Sequence, residues 1–118
     1  MMTTMGCQRS ERRHDPRVPL ARQVDVRVPS WSTLESWGYD LSLGGIRLSL
    51  PEDVRPGDQV AVALRLPNGL QFALCGEVRH VAPGKRQGEC IAGLRFIGAN
   101  ADELELLRTL VSDLVSSP

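Results

Sequence analysis

Residues 59–81 read QVAVALRLPNGLQFALCGEVRHV, with an alternating apolar run on each side of the dipeptide Asn68-Gly69. In the first run, valines and leucines alternate with small or charged residues, which is the period of a strand with one buried face. Asn-Gly is a strong hairpin signal because both residues tolerate the positive φ angles of a type I′ turn. The stretch therefore predicts two antiparallel strands, over residues 59–66 and about 70–81, joined by a tight turn.

Four further segments have the composition or the period of strands. They are VDVRV (24–28), SWSTLESWGYD (30–40), IRLSL (46–50) and CIAGLRFI (90–97). Gly93 interrupts the last apolar run, and a glycine inside a strand often marks a bulge or bend where a sheet curls. We therefore predict six strands that close into a barrel rather than lie in a flat sheet.

The C-terminal segment changes to a helical period. Apolar residues between Leu104 and Leu114 recur at helical spacing and form one stripe. Asn100 precedes the stripe, and Glu103 completes a capping box. The predicted fold is a six-stranded antiparallel β-barrel with a C-terminal α-helix packed on it. Residues 1–18 lack a periodic apolar pattern, so we expect a flexible N-terminal arm there and a single barrel domain over residues 19–118.

The composition is that of a globular domain, with 42% hydrophobic and 24% charged residues. No apolar run approaches the ~18 residues of a membrane span, and the three cysteines and two histidines lack zinc-ligand spacing. We expect a cytoplasmic protein without membrane insertion, metal or other cofactor. Paired carboxylates, a thiol beside a histidine and a phosphate loop are all missing from the sequence, so we also predict that it is not an enzyme.

Thirteen of the fourteen basic residues are arginine, and three of them lie in ERRHDPR, residues 11–17. Arg13 and Arg17 form an R-x-x-x-R pair whose side chains share one face of an extended chain. Pro16 favours an extended or turn conformation because it disfavours the α region at the residue before it. Two guanidinium groups aimed the same way suit paired anionic or guanine-like acceptors. The alternative is a solvated basic stretch paired with neighbouring carboxylates.

The segment DLSLGG, residues 40–45, carries a second motif, D-x-S-x-x-G. On an extended segment Asp40 and Ser42 point to the same side. There a carboxylate and a hydroxyl can accept the N–H donors of a guanine edge. Gly44 and Gly45 permit a tight turn and let a ligand approach the backbone closely. The alternative is a serine-capped turn at a strand junction, with no role in ligand binding.

The two motifs occur in this order, ahead of the segments PGD, RLP and GLRF and a C-terminal helix, and together they resemble the PilZ domain family over about residues 11–114. The resemblance implies a barrel with a C-terminal helix that binds cyclic di-GMP (c-di-GMP), a bacterial second messenger. It also implies that the arginine pair clamps guanine and phosphate groups, while the second motif meets the ligand from the barrel surface. The implied ligand-binding residues are Arg13, Arg17, Asp40, Ser42 and Gly45, with Arg12 and Gly44 in supporting positions.

The sequence leaves three functions open. The leading one is a small single-domain c-di-GMP receptor that signals through a partner protein, for example in motility or biofilm regulation, as a monomer or weak homodimer. The second is a PilZ-like interaction module whose output is independent of nucleotide, and the intact motifs argue against it. The third is a single-stranded nucleic-acid binder. The 4% aromatic content and zero net charge are unlike such proteins, which use aromatic platforms in a basic groove.

Overall fold

A computed structural model of the chain describes residues 16–28 and 33–116. Most of the predicted arm, including Arg12 and Arg13, lies outside these residues. The elements are β1 (Val18–Arg27), β2 (Thr33–Leu41), β3 (Gly45–Pro51), β4 (Gln59–Arg65), β5 (Gln71–Pro83), β6 (Glu89–Ile97) and α1 (Ala101–Ser116). The predicted six strands and C-terminal helix are therefore confirmed.

The strands form one closed antiparallel barrel in the order β1-β2-β3-β6-β5-β4. β1 pairs with β2 from Val18 to Arg27, but it pairs with β4 only over Asp25 to Arg27. The first half of β1 therefore extends beyond β4. The helix packs against β1 and β5, the two neighbours of β4, and so covers this side of the barrel.

The core follows the alternation read from the sequence. Val60 and Val62 of β4 are fully buried, and the residues beside them on the strand are more exposed. Leu107 and Leu110 of α1 are buried in the same core. Each buried leucine contributes about 1.5–3 kcal/mol, so tertiary packing of the apolar stripe holds the helix in place.

The helix begins with the predicted capping box. The side chain of Asn100 accepts the N–H of Glu103 at 2.8 Å, and the carboxylate of Glu103 accepts the N–H of Asn100 at 3.0 Å. Two N–H groups that have no partner within the helix are thereby satisfied. No helix in the described part of the chain is long and apolar enough to cross a membrane.

The β4–β5 hairpin is present, but its turn is not type I′. The N–H of Gly69 donates to the carbonyl of Leu66, and Gly69 has a φ of 93° whereas Asn68 has no positive φ. Pro67 fixes φ near −65° at the second turn position, which favours a type I turn and is incompatible with type I′. Asn68 instead accepts the N–H of Leu70 with its side chain. The hairpin prediction is confirmed, and the turn differs because Pro67 belongs to it.

β1 begins at Val18, six residues before the alternating segment that predicted it. Between Pro19 and Arg22 the register shifts, so that two residues of β1 lie opposite one residue of β2. Ala21 has a positive φ of 49° in this bulge. The bulge and the proline interrupt the two-residue period, which is why the sequence pattern shows only the second half of the strand.

The sequence placed a bulge at Gly93, and the structure has it on the neighbouring strand. The register of β5 with β6 shifts between Val78 and His80, directly opposite Gly93. A Cβ at Gly93 would lie 3.1 Å from the His80 ring. The glycine therefore makes room for His80 where β5 carries its extra residue.

Candidate ligand-binding site

The D-x-S-x-x-G segment forms the connection between β2 and β3 at one rim of the barrel. β2 ends at Leu41 and β3 begins at Gly45. Val18, the first residue of β1, lies opposite Leu41, so Arg17 reaches the same rim. Pairing of β1 with β2 thus joins Arg17 to Asp40, although 23 residues separate them in sequence.

Asp40 lies between two arginines. Its Oδ1 is 2.6 Å from Nη1 of Arg17, and its Oδ2 is 2.8 Å from Nη2 of Arg47. Arg47 lies directly opposite Asp40 on β3. Pro19 lies opposite Asp40 on β1, which makes Arg17 a diagonal neighbour on the same face. The Asp40 side chain is 14% exposed and the two arginines are 48% and 54% exposed, so two half-exposed cations cover a mostly buried carboxylate.

This cluster can receive a ligand without being dismantled. A guanidinium group has five N–H donors, and each carboxylate oxygen has two acceptor sites. Arg17 can therefore hold Asp40 and still donate to another group. Arg17 is half-exposed, and Asp40 keeps Arg47 as a partner when Arg17 leaves, so a ligand that offers better acceptors can also displace Arg17 from the carboxylate.

Ser42 faces its own turn. The residue is 4% exposed, and its Oγ accepts the N–H groups of Gly44 and Gly45 at 3.2 Å each. The Ser42 N–H donates to the Gly45 carbonyl at 2.9 Å. The structure therefore has the serine-capped turn, and a contact of Ser42 with a ligand stays a prediction. In the structure, Ser42 fixes the shape of the turn that carries Asp40.

Both glycines of the turn are held against β6. The Gly44 carbonyl accepts the N–H of Phe96 at 2.9 Å, and Gly45 pairs with Arg95. A Cβ at position 45 would collide with the carbonyl oxygen of Leu94. Gly45 is therefore required by close packing of two strands, a reason that the local sequence does not show.

Arg47 is a site residue that the sequence reasoning missed. The alternation in IRLSL placed it on the polar face of its strand, but nothing in that reasoning joined it to Asp40. Strand pairing supplies the missing signal, because two residues at matching distances from a tight turn lie opposite each other in an antiparallel pair. Asp40 and Arg47 flank the β2–β3 turn in this way.

Tyr39 connects this cluster to the β5–β6 connection. A register shift between Gly38 and Asp40 makes Tyr39 the extra residue of β2 against β3. The centroid of its ring lies 5.9 Å from Cζ of Arg47 and 5.6 Å from Nζ of Lys85. Both distances are within the ~6 Å range of cation–π contacts, so one ring contacts cations from two parts of the barrel.

A cleft of about 460 Å³ opens beside this ring, between β2 and the β5–β6 connection. Trp37, Tyr39, Lys85 and Arg86 are among the residues that line it. Asp40 and the β2–β3 turn are not. The cleft adjoins the arginine cluster through Tyr39 but is separate from the two motifs.

Of the sequence-predicted residues, the structure brings Arg17 into contact with Asp40. Ser42, Gly44 and Gly45 form the turn that follows Asp40, and Arg12 and Arg13 lie outside the described residues. Within residues 16–28 and 33–116, no three His, Cys, Asp or Glu side chains cluster as metal ligands.

Burial raises the pKa of the Cys90 thiol, and the nearby Asp53 and Glu52 raise it further. This thiol is therefore protonated at neutral pH and is a poor nucleophile.

A family profile of the PilZ domain matches residues 11–113. The chain belongs to the PilZ domain family. The match contains both motif segments and every element of the barrel, so the resemblance read from the sequence is confirmed. Among curated protein sequences, none is significantly similar to this PilZ chain.

Several solved structures share the fold. The PilZ domain of YcgR from Escherichia coli with c-di-GMP has a TM-score of 0.68 and 21% identity, covering 88% of this chain and 92% of that one. The PilZ domain of CeSA from a cellulose-synthesising bacterium has a TM-score of 0.64 and 21% identity, covering 85% and 98%. The K. pneumonia MrkH–c-di-GMP complex has a TM-score of 0.67 and 15% identity, covering 86% of this chain. This chain covers 51% of MrkH, so it spans about half of that protein.

Proposed function

We propose that this PilZ domain is a receptor for c-di-GMP, which binds at the rim formed by the start of β1 and the β2–β3 turn. The observation that carries the proposal is the 2.6 Å contact between Arg17 of the first motif and Asp40 of the second. Membership of the PilZ family supports it, as do the c-di-GMP-bound relatives of the same fold, YcgR and MrkH.

The chemistry of the cluster matches the ligand. A guanine offers O6 and N7 as acceptors for a bidentate arginine, and its N1 and N2 protons suit a carboxylate. Arg17 and Asp40 present both kinds of group within one cluster.

We place Arg13 on the other side of the ligand. In an extended chain its Cα lies up to roughly 13 Å from that of Arg17, so the two arginines can contact separate guanine or phosphate groups. In this proposal the arm ahead of Arg17 orders on binding, Arg12 supports Arg13, and the barrel from β1 onward provides the rigid surface. The ordered arm forms a new protein surface, and the fraction of molecules that carry this surface rises with the c-di-GMP concentration.

That surface would act on a partner protein, with the PilZ domain itself a monomer or weak homodimer in the cytoplasm. In this proposal the domain binds the nucleotide without transforming it. A nucleotide-independent interaction module is less well supported, because such a module has no need for the arginine–carboxylate contact between the two motifs.

Isothermal titration calorimetry with c-di-GMP tests the proposal on the wild type, Arg13→Ala and Arg17→Ala. Each substitution should weaken binding by at least ~1.5 kcal/mol, the scale of a hydrogen bond to a charged group. Arg27→Ala is the matched control. It removes an exposed arginine at the other end of β1, about 30 Å along the strand, and should leave the affinity unchanged.

The outcomes separate the three functions. If the wild type does not bind c-di-GMP, the proposal fails and the nucleotide-independent module takes its place. Binding of single-stranded RNA, with no heat from the cyclic dinucleotide, would instead support the nucleic-acid binder.

A further inference from the structure

Asp40 has two arginine partners whose backbones are anchored differently. Arg47 lies inside β3 and pairs with Asp40 on one side and with Gly93 of β6 on the other. Arg17 precedes Val18, the first residue of β1. The main chain at Arg47 is therefore fixed by strands on both sides, whereas that at Arg17 is fixed only through the residue that follows it.

The side chains differ as well. The Arg47 guanidinium forms an ion pair with Oδ2 of Asp40 and lies 5.9 Å from the centroid of the Tyr39 ring. It is thus held by a carboxylate and by an aromatic face. Arg17 meets the other oxygen, Oδ1, from outside the sheet. Of the two arginines, Arg17 is the one that can leave Asp40 with little rearrangement.

Resting on the proposed function, we infer that Arg47 is the positioning residue of the site. Arg47 keeps the Asp40 carboxylate oriented and charge-paired while Arg17 transfers from that carboxylate to c-di-GMP. Arg47 pairs with Asp40 through Oδ2, so Oδ1 is open to the N–H donors of a guanine once Arg17 leaves it. Without Arg47, departure of Arg17 would leave a mostly buried carboxylate unpaired and free to rotate.

A double-mutant cycle distinguishes this role from direct contact with the ligand. The affinity for c-di-GMP is measured by calorimetry for the wild type, Arg47→Ala, Asp40→Ala and the double variant. Arg47→Ala alone should weaken binding about tenfold, and in the Asp40→Ala background it should change the affinity less than about twofold. Arg47 would then act through Asp40, because its effect disappears with that carboxylate.

An equal loss in both backgrounds overturns the inference, since it means that Arg47 contacts the ligand or attracts it by charge alone. Arg47→Lys keeps the charge without the planar fork and should recover part of the affinity. Arg27→Ala again controls for general loss of charge. Should Arg47→Ala fail to fold, Arg47→Gln replaces it in the same cycle.

The result also separates this inference from the function on which it rests. If the wild type does not bind c-di-GMP, the proposed receptor function and the role of Arg47 are both wrong. If the wild type binds and the losses from the two substitutions are additive, the receptor function stands and only the positioning role of Arg47 is wrong.

Discussion

The β2–β3 turn and the arginine cluster lie side by side at the rim, but they are built by different means. The turn is held by backbone hydrogen bonds, the buried Ser42 hydroxyl and the contact of Gly45 with β6. The cluster is held by half-exposed guanidinium groups around Asp40. The turn therefore fixes where the carboxylate stands, and the arginines can exchange partners without unfolding the rim.

The largest expected effect comes from breaking the turn with Gly45→Ala. The new Cβ would collide with the backbone carbonyl of Leu94, and neither strand can move without disturbing the β3–β6 ladder. We expect a loss of about 3 kcal/mol in the free energy of unfolding, which lowers Tm by on the order of 10 °C.

Thermal unfolding followed by circular dichroism measures this loss, with Gly93→Ala as the control. A Cβ at Gly93 meets only the side chain of His80, at 3.1 Å, and an exposed side chain can turn away. That substitution should cost less than about 1 kcal/mol. Equal Tm values for the two variants would show that Gly45 is not tightly packed.

Ser42→Ala should have a smaller effect that reaches both stability and binding. It removes the acceptor of two turn N–H groups, and leaving them unsatisfied costs about 2 kcal/mol. Because the same turn carries Asp40, we expect the affinity for c-di-GMP to fall several-fold as well. Chemical denaturation and calorimetry on the same samples measure the two quantities.

The control for Ser42→Ala is a substitution that also lowers the free energy of unfolding but lies outside the proposed site. Asn100→Ala removes the helix cap and should cost about 1 kcal/mol. Because Asn100 lies outside the two motifs, we expect its affinity for c-di-GMP to equal that of the wild type. A parallel loss of affinity in Asn100→Ala would mean that binding simply follows global stability.

The smallest expected effect on stability is that of Arg17→Ala. Its ion pair with Asp40 is half-exposed, so the free energy of unfolding should fall by less than about 1 kcal/mol. Denaturation in urea measures this change. If Arg17→Ala lowers the free energy of unfolding as much as Ser42→Ala does, Arg17 is part of the rigid structure around the β2–β3 turn and does not exchange partners easily.

The sequence predicted the barrel and the helix cap because both depend on local patterns. Alternation marks each strand wherever one face is buried, and Asn100 and Glu103 are only three residues apart. The type of the β4–β5 turn was also accessible from local sequence, since Pro67 alone excludes type I′.

The remaining features depend on contacts that no local pattern records. Gly45 is required by Leu94, which belongs to a strand far along the chain. The bulge at Ala21 interrupts the two-residue period, so the sequence pattern does not show the first half of β1. The pairing of Arg47 with Asp40 needs the register of β2 with β3, which the alternation within either strand does not show.

Tyr39 and Lys85 are the only tyrosine and the only lysine of the chain, and they lie in contact beside Arg47. Any rearrangement of Arg47 changes the electrostatic surroundings of the Tyr39 phenol, whose ring also contacts Lys85. A tyrosine-specific signal can come only from Tyr39, and acylation of a lysine side chain can occur only at Lys85. The wild-type protein carries its own spectroscopic reporter at Tyr39, next to Asp40, and a chemical reporter at Lys85, which contacts the same ring.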